Sequence, residues 1–172
     1  VHVHDVPMTQ KIHDLRKGLL DAALAPESGY GRGIVSEPIW EDPLVALLPC
    51  DHRLAVKDDL VLAEIVSEPL VMCRPDTGLG QQCQIEEIVR RVTPTPNIVD
   101  RVTTLCMLVM HVFAGGGIGI ATAAQLEAVG PGDFALHPLL DASCEVKTWL
   151  MVRQETPIEP LTSFVDLARG VR

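Results

Sequence analysis

Apolar and polar positions alternate at the start of the chain: Val1, Val3 and Val6 stand against His2, His4 and Asp5, the period-two pattern of a half-buried strand. The pattern then lengthens to a helix from about Thr9 to Lys17, with Gly18 where a helix C-cap belongs. "LLDAALAP" follows, a short, nearly all-apolar run of the kind buried on both faces of a parallel sheet. Strand, helix and strand with short joins predict a βαβ unit with a right-handed crossover. After a turn-rich loop from Pro26 to Gly33, "IVSEPIWEDPLVALLP" is a long extended stretch. Pro38 and Pro43 confine it to a sheet edge or to a crossing between lobes.

"DHRLAVKDDLVLAEIV" holds a polar turn and a short helix, and Leu70 to Cys73 reads as a brief buried strand. Arg74 to Gly78 is then a turn in which Asp76 or Thr77 can cap a helix made amphipathic by Leu79, Ile85, Ile88, Val89 and Val92. Pro94 and Pro96 mark a loop before a strand at Ile98 and Val99. Thr103 to Phe113 is helical by length and apolar on every side, which predicts a well-buried helix. "GGGIGIATA" ends that helix and opens a strand, "GDFALHPLL" and "VKTWLMVR" supply two more strands, and Pro160 starts a last helix through Val171. No fixed-period repeat interrupts the series. Alternating strands and helices predict an α/β protein with mostly parallel sheets.

Length and charge narrow the function. The 172 residues suffice for one sizeable domain or two small lobes, and 47% hydrophobic with 22% charged is globular composition. A net charge of -9 and a pI of about 5.0 oppose a nucleic-acid surface. Two tryptophans, one tyrosine and three phenylalanines are too few for a base-stacking platform. The longest apolar stretch, Leu105 to Ala114, is interrupted by His111 and is too short to span a bilayer. No secretory signal is visible, and five cysteines without CxxC spacing suit reduced thiols. A cytoplasmic location is the expectation.

Motifs for chemistry are scarce. "GGGIGIA" contains dinucleotide-loop glycines, but it follows a helix and precedes a strand, the reverse of the required order. Its glycines fit a helix C-cap and a close backbone crossing. His2 and His4 share a strand face without a third metal ligand at a recognisable spacing, and His52 near Cys50 and His111 have the same weakness. No GxSxG elbow, Walker loop or HExxH helix occurs. Asp58 and Asp59, like Glu86 and Glu87, read as solvated helix faces, since helix neighbours diverge by about 100 degrees. An enzyme reading has no catalytic residue to rest on, and neither a metal nor a cofactor is implied. What remains is the front of the helix after Arg74. Its free backbone N–H groups carry roughly half a positive charge and suit a carboxylate or phosphate, with Gly78 and Gly80 allowing close approach. A plain capped helix facing water has the same pattern.

Three segments taken together resemble one family: "DLRKGLLDAALAP" (14–26), "EPIWEDPLVALLPCDHRLAVKDDLVLAEIVSEPLVM" (37–72) and "VFAGGGIGIATA" (112–123). In order and spacing they look like the effector-binding domain of LysR-type transcriptional regulators. The usual proline after the last of them is replaced by Thr122 or Ala123. The resemblance implies a fold like type 2 periplasmic binding proteins: two α/β lobes of mostly parallel sheet with flanking helices, joined by two extended hinge crossings. These would run near Pro43 to Leu48 and Phe134 to Leu139, putting residues 1–43 and 139–172 in lobe I and residues 44–138 in lobe II.

It also implies that a small organic anion is held in the inter-lobe cleft. The effector-facing positions from lobe II would be Asp76, Thr77, Gly78, Leu79 and Gly80, with Thr103, Gly117 and Ile118 in support. Lobe I would offer Val6, Met8 and Thr9, and then Ala25 and Pro26. The partners implied are a second copy, as homodimer or tetramer through lobe I to lobe II contacts, and DNA only through an N-terminal winged helix-turn-helix, with no membrane. Against the family pattern, the chain starts at the second effector-domain strand and reads as a fragment. A solute-binding protein of a transport system shares the fold and is the competing expectation.

Overall fold

The computed structural model describes residues 2–28, 31–74, 81–141, 143–154 and 159–170. The chain divides into two compact units, residues 1–41 with 147–172 and residues 42–146. It passes from one to the other within the strand β2 (Ile34–Pro49) and returns within the strand β7 (Glu145–Arg153). The strand β6 (Phe134–Pro138), expected as the return crossing, is instead paired to β2 from Val45↔Pro138 to Pro49↔Phe134, and this ladder holds it inside the larger unit. Residues 139–146, placed in lobe I on the sequence, also belong to that unit.

The larger unit is built on a sheet ordered β6, β2, β5 (Ile118–Thr122), β3 (Leu70–Cys73) and β4 (Ile98–Val102). It is mixed. The ladder is parallel where β3 meets β5 (Leu70↔Ile118) and β4 (Cys73↔Val102), and antiparallel where β2 meets β5 (Leu44↔Thr122) and β6. The α/β class holds, while the parallel part is narrower than alternation alone predicts. Of the three prolines of β2, Pro38 and Pro43 precede and Pro49 follows the segment Val45–Leu47 that has partners on both sides, so none removes a donor there.

Period two decides the layers. Leu44, Ala46, Leu48, Leu70, Met72, Ile118 and Ile120 join one core cluster with Leu62 and Ile65 of α2 (Leu62–Ile65) and Ile85, Ile88 and Val89 of α3 (Gln81–Val92). The alternate residues Val45, Leu47, Val71, Cys73 and Ala121 join another with Leu108 and Val112 of α4 (Leu105–Phe113) and Leu126 of α5 (Ala123–Glu127). Each leucine withdrawn from water in this way contributes about 1.5 to 3 kcal/mol before conformational entropy is subtracted. Gly119 carries no Cβ where one would lie 3.2 Å from both Leu108 Cδ1 and Val112 Cγ2, so α4 lies close against β5. α2 is capped both from within and from a distance: Glu64 Oε2 accepts from Val61 N–H at 3.4 Å, and Leu62 N–H donates to Asp141 Oδ2 at 2.6 Å.

The smaller unit holds α1 (Met8–Lys17), β1 (Ala22–Ala25) and α6 (Glu159–Gly170) with the ends of β2 and β7. Gly18 takes φ 70, and the N–H groups of Gly18 and Leu19 close the helix on Leu15 O and Asp14 O. Leu15, Ala25 and Met151 form its buried centre. Trp40 Nε1 donates to Ala168 O at 2.7 Å, and Arg169 meets Glu37 at 2.9 Å, fastening α6 to β2.

Two expectations fail here. Residues 2–7 form no strand, and Val3 is 90% exposed, because alternation makes a strand only when another edge takes up its hydrogen bonds. "AALA" is the expected strand, but it pairs antiparallel with β7 and is only partly buried, so the predicted βαβ unit is not formed among the described residues.

Candidate functional site

Parallel β5, β3 and β4 end together at one edge of the larger unit's sheet, the edge from which α5, α3 and α4 depart. Arg74 N–H donates to Val102 O at 2.8 Å, extending the ladder by one residue, and α3 resumes at Gln81. Open α/β sheets present ligands with helix N-termini at such an edge. Of the residues expected here, Asp76, Thr77, Gly78, Leu79 and Gly80 lie outside the described residues. Thr103 is exposed at this same edge, one residue before the α4 N-cap.

Thr104 is that cap: its Oγ1 accepts from Met107 N–H at 3.2 Å. At the third terminus Thr122 and Gln125 exchange hydrogen bonds in a capping box, Thr122 Oγ1 accepting from Gln125 N–H and Gln125 Oε1 from Thr122 N–H. These two termini are thus supplied by their own side chains.

The terminus of α3 is distinguished by Gln82. Its side chain is buried at 1% exposure, and neither Oε1 nor Nε2 has a hydrogen-bond partner. The other buried polar side chains among the described residues, Thr122 and Thr148, both have partners. An unpaired buried amide costs about 1 to 3 kcal/mol. No sequence motif marks this residue, yet a signal was present: Gln82 stands three residues before Ile85 and seven before Val89, on the apolar stripe of its helix.

The rest of α3 is anchored. Arg101 on β4 grips Glu86 through both guanidinium nitrogens at 2.9 Å, and Arg90 adds contacts at 2.7 and 3.1 Å. The Arg101 hydrogen bonds, against the cost of burial and with help from Arg90, hold the Glu86 carboxyl below the usual glutamate range. Glu86 is therefore a tether between helix and strand rather than the solvated acid expected, whereas Glu87 is exposed.

The remaining sequence candidates separate. Gly117 and Ile118 sit at the opposite edge of the parallel ladder, where Ile118 pairs with Leu70 at the start of β3. Gly117 is at φ +145, and a Cβ there would lie 2.7 Å from Pro69 O, so the position serves a close backbone approach. In the smaller unit Met8 packs against the cluster containing Ala25, giving both a share in the core. Val6 and Pro26 are half-buried and Thr9 is exposed. His52 has a structural post: Nδ1 accepts from Leu54 N–H at 3.2 Å while Nε2 faces Glu68 at 3.6 Å, and Arg53 also reaches Glu68. His111 ties α4 to Asp100 at 3.1 Å, and His2 and His4 are exposed. Burial pushes the Cys73 thiol up, and burial followed by the nearby Asp141 pushes that of Cys144 up to about 11, so both stay protonated and unreactive.

The family model for the LysR substrate binding domain matches residues 1–171. The chain belongs to that family. Its curated relatives include the HTH-type transcriptional regulator YnfL of Escherichia coli, 29% identical over 142 residues that make up 83% of this chain and 48% of the relative. The Hca operon transcriptional activator HcaR of Escherichia coli is 28% identical over 65% of this chain and 37% of that protein. The chain thus spans about half the length, or less, of these relatives.

Among solved structures, the BenM effector binding domain with its effector benzoate superposes with a TM-score of 0.83 at 16% identity, covering 96% of this chain and 76% of that one. HinK, a LysR family regulator from Pseudomonas aeruginosa, gives 0.77 at 20% identity, covering 98% and 59%. These likenesses show the fold of a LysR effector-binding domain.

Proposed function

We propose that this LysR-family domain senses a small organic anion bound beside the first turn of α3, and that binding modulates transcription by the longer protein to which the domain belongs. The observation that carries the reading is the α3 terminus itself: it opens at the carboxyl edge of the parallel strands and holds a buried amide with no partner. Asp76, Thr77, Gly78, Leu79 and Gly80 are its proposed loop partners, with Thr103 beside them. A helix N-terminus favours negative charge by about 0.3 to 1 kcal/mol when exposed and up to about 2 when partly buried, enough to choose an acid over its neutral amide. That BenM takes benzoate, a carboxylate, supports the same ligand class here.

No catalytic group is assigned, and the solute-binding alternative is not favoured, because the curated relatives are transcriptional regulators. A cytoplasmic location and a homodimer or tetramer through contacts between unlike lobes belong to the same proposal. DNA binding is proposed for the longer protein alone, because this chain's charge of -9 repels the phosphate backbone.

The test is a thermal-shift screen of small carboxylates against their own amides. Acids should raise the melting temperature and amides should not. Equal shifts from acid and amide would remove the helix-terminus mechanism.

A further inference from the structure

Gln82 is the second residue of a twelve-residue helix. Helical side chains lean toward the N-terminus, so its amide heads for the mouth of α3 while the stripe continued by Ile85 and Val89 packs into the core. At 1% exposure the amide is out of reach of bulk water, and it makes no hydrogen bond within the chain. A group so placed is a cost to the fold and has two uncommitted functions, an N–H donor and a C=O acceptor. Polar groups in such positions are filled by a ligand or by a bound water with several polar partners. Here the nearest stripe neighbours on α3 are isoleucine and valine, which supply no such partners.

We infer that Gln82 is a specificity-determining residue of the effector site, and that the effector is a small carboxylate bearing a second group that both donates and accepts a hydrogen bond, such as a hydroxyl. This rests on the proposed anion site at α3 and deepens it. The helix terminus takes the carboxylate. The Gln82 amide takes the hydroxyl, Nε2–H donating to its oxygen and Oε1 accepting its proton. A hydrocarbon acid without that group leaves the amide unpaired, as it is in the free chain, and forgoes the hydrogen bond, so it binds more weakly.

The experiment uses the full chain and matched acids: propionate against lactate, butanedioate against 2-hydroxybutanedioate, and benzoate against 2-hydroxybenzoate. Calorimetric titration should show the hydroxy acid of at least one pair bound about tenfold more tightly, the size of one net hydrogen bond in a buried site. Gln82→Met keeps the length of the side chain and removes both hydrogen-bonding atoms. This variant should melt higher than the parent without ligand and should lose or reverse the preference while still binding the unsubstituted acid. Binding of acids with equal affinity within every pair, or a preference unchanged in Gln82→Met, overturns the inference and leaves the anion site standing. A Gln82→Met chain that melts lower overturns it too, since the amide would then be a satisfied part of the core. If no carboxylate binds, the anion site and the inference fall together.

Discussion

Helices α3 and α4 follow neighbouring parallel strands, yet they depart from apolar-inside, polar-outside in opposite directions. α3 is amphipathic and buries one amide too many at Gln82. α4 is apolar except for His111 and leaves Met107, Met110 and Phe113 about half exposed, with only Leu108 and Val112 buried. Their ends differ as well. The first turn of α4 is closed by Thr104, whereas that of α3 holds a polar side chain the fold does not use. A helix shaped only by packing has no reason to retain Gln82. The contrast supports the proposed anion site at α3 over one on the face of α4.

The largest effect expected from breaking this contrast is Leu108→Ala. Leu108 is fully buried and lies against the bare Cα of Gly119, so its loss opens a cavity that β5 has no side chain to fill. The cost should be about 2 to 5 kcal/mol, read as a lower denaturation midpoint. Anion binding at α3 should survive wherever the domain remains folded, because Leu108 belongs to the other face of the sheet. Loss of binding under folding conditions would show that the two helices act as one site.

What could be read from the sequence follows the same division. The limits of β2 and β3 and the end of α3 at Val92 were legible because each is decided locally, by a period and by the prolines or glycines that bound it. Strand direction was not, since the partner of "AALA" is β7, more than a hundred residues away, and no local signal distinguishes the two orientations. The alternation in residues 2–6 misled for a related reason: a strand is a property of a pair. The burial expected of α4 failed because apolar composition says which residues can be buried, while the sheet has room for one stripe. At the site, the glycine-bearing loop is visible in the sequence through helix-capping chemistry. Gln82 is not, because a glutamine in a first turn is ordinary unless its spacing from the core stripe is counted.

A smaller effect should come from releasing the tether of α3. Glu86→Gln removes the charge that Arg101 and Arg90 share, at a side chain 15% exposed. The loss should be about 1 kcal/mol near neutral pH, toward the upper end for pairs close to the surface. Folding holds the Glu86 carboxyl below its ordinary range, so the unfolded chain binds the proton more tightly. The contribution is complete above the ordinary glutamate range and is lost as pH falls through it toward the lower, folded value. The parent and Glu86→Gln should therefore converge in stability on acidification. A difference that persists undiminished to strongly acidic pH would mean that shape, not charge, joins α3 to β4.

The smallest effect, and the sharpest test of α4, is Met110→Lys. Met110 is 57% exposed and sits in the last turn of its helix, where methionine and lysine have nearly equal helix propensity and a cation is favoured by the helix dipole. The melting temperature of the dilute domain should change by the equivalent of less than about 0.5 kcal/mol in either direction. Repeating the measurement over a wide range of protein concentration gives the experiment its force. Association stabilises by mass action, so a surface covered by a second copy would make the penalty of the lysine grow with concentration. A penalty independent of concentration and near zero keeps α4 an open, packing-only helix. One that grows would assign its methionines and phenylalanine to an interface and return to them the burial their composition predicts.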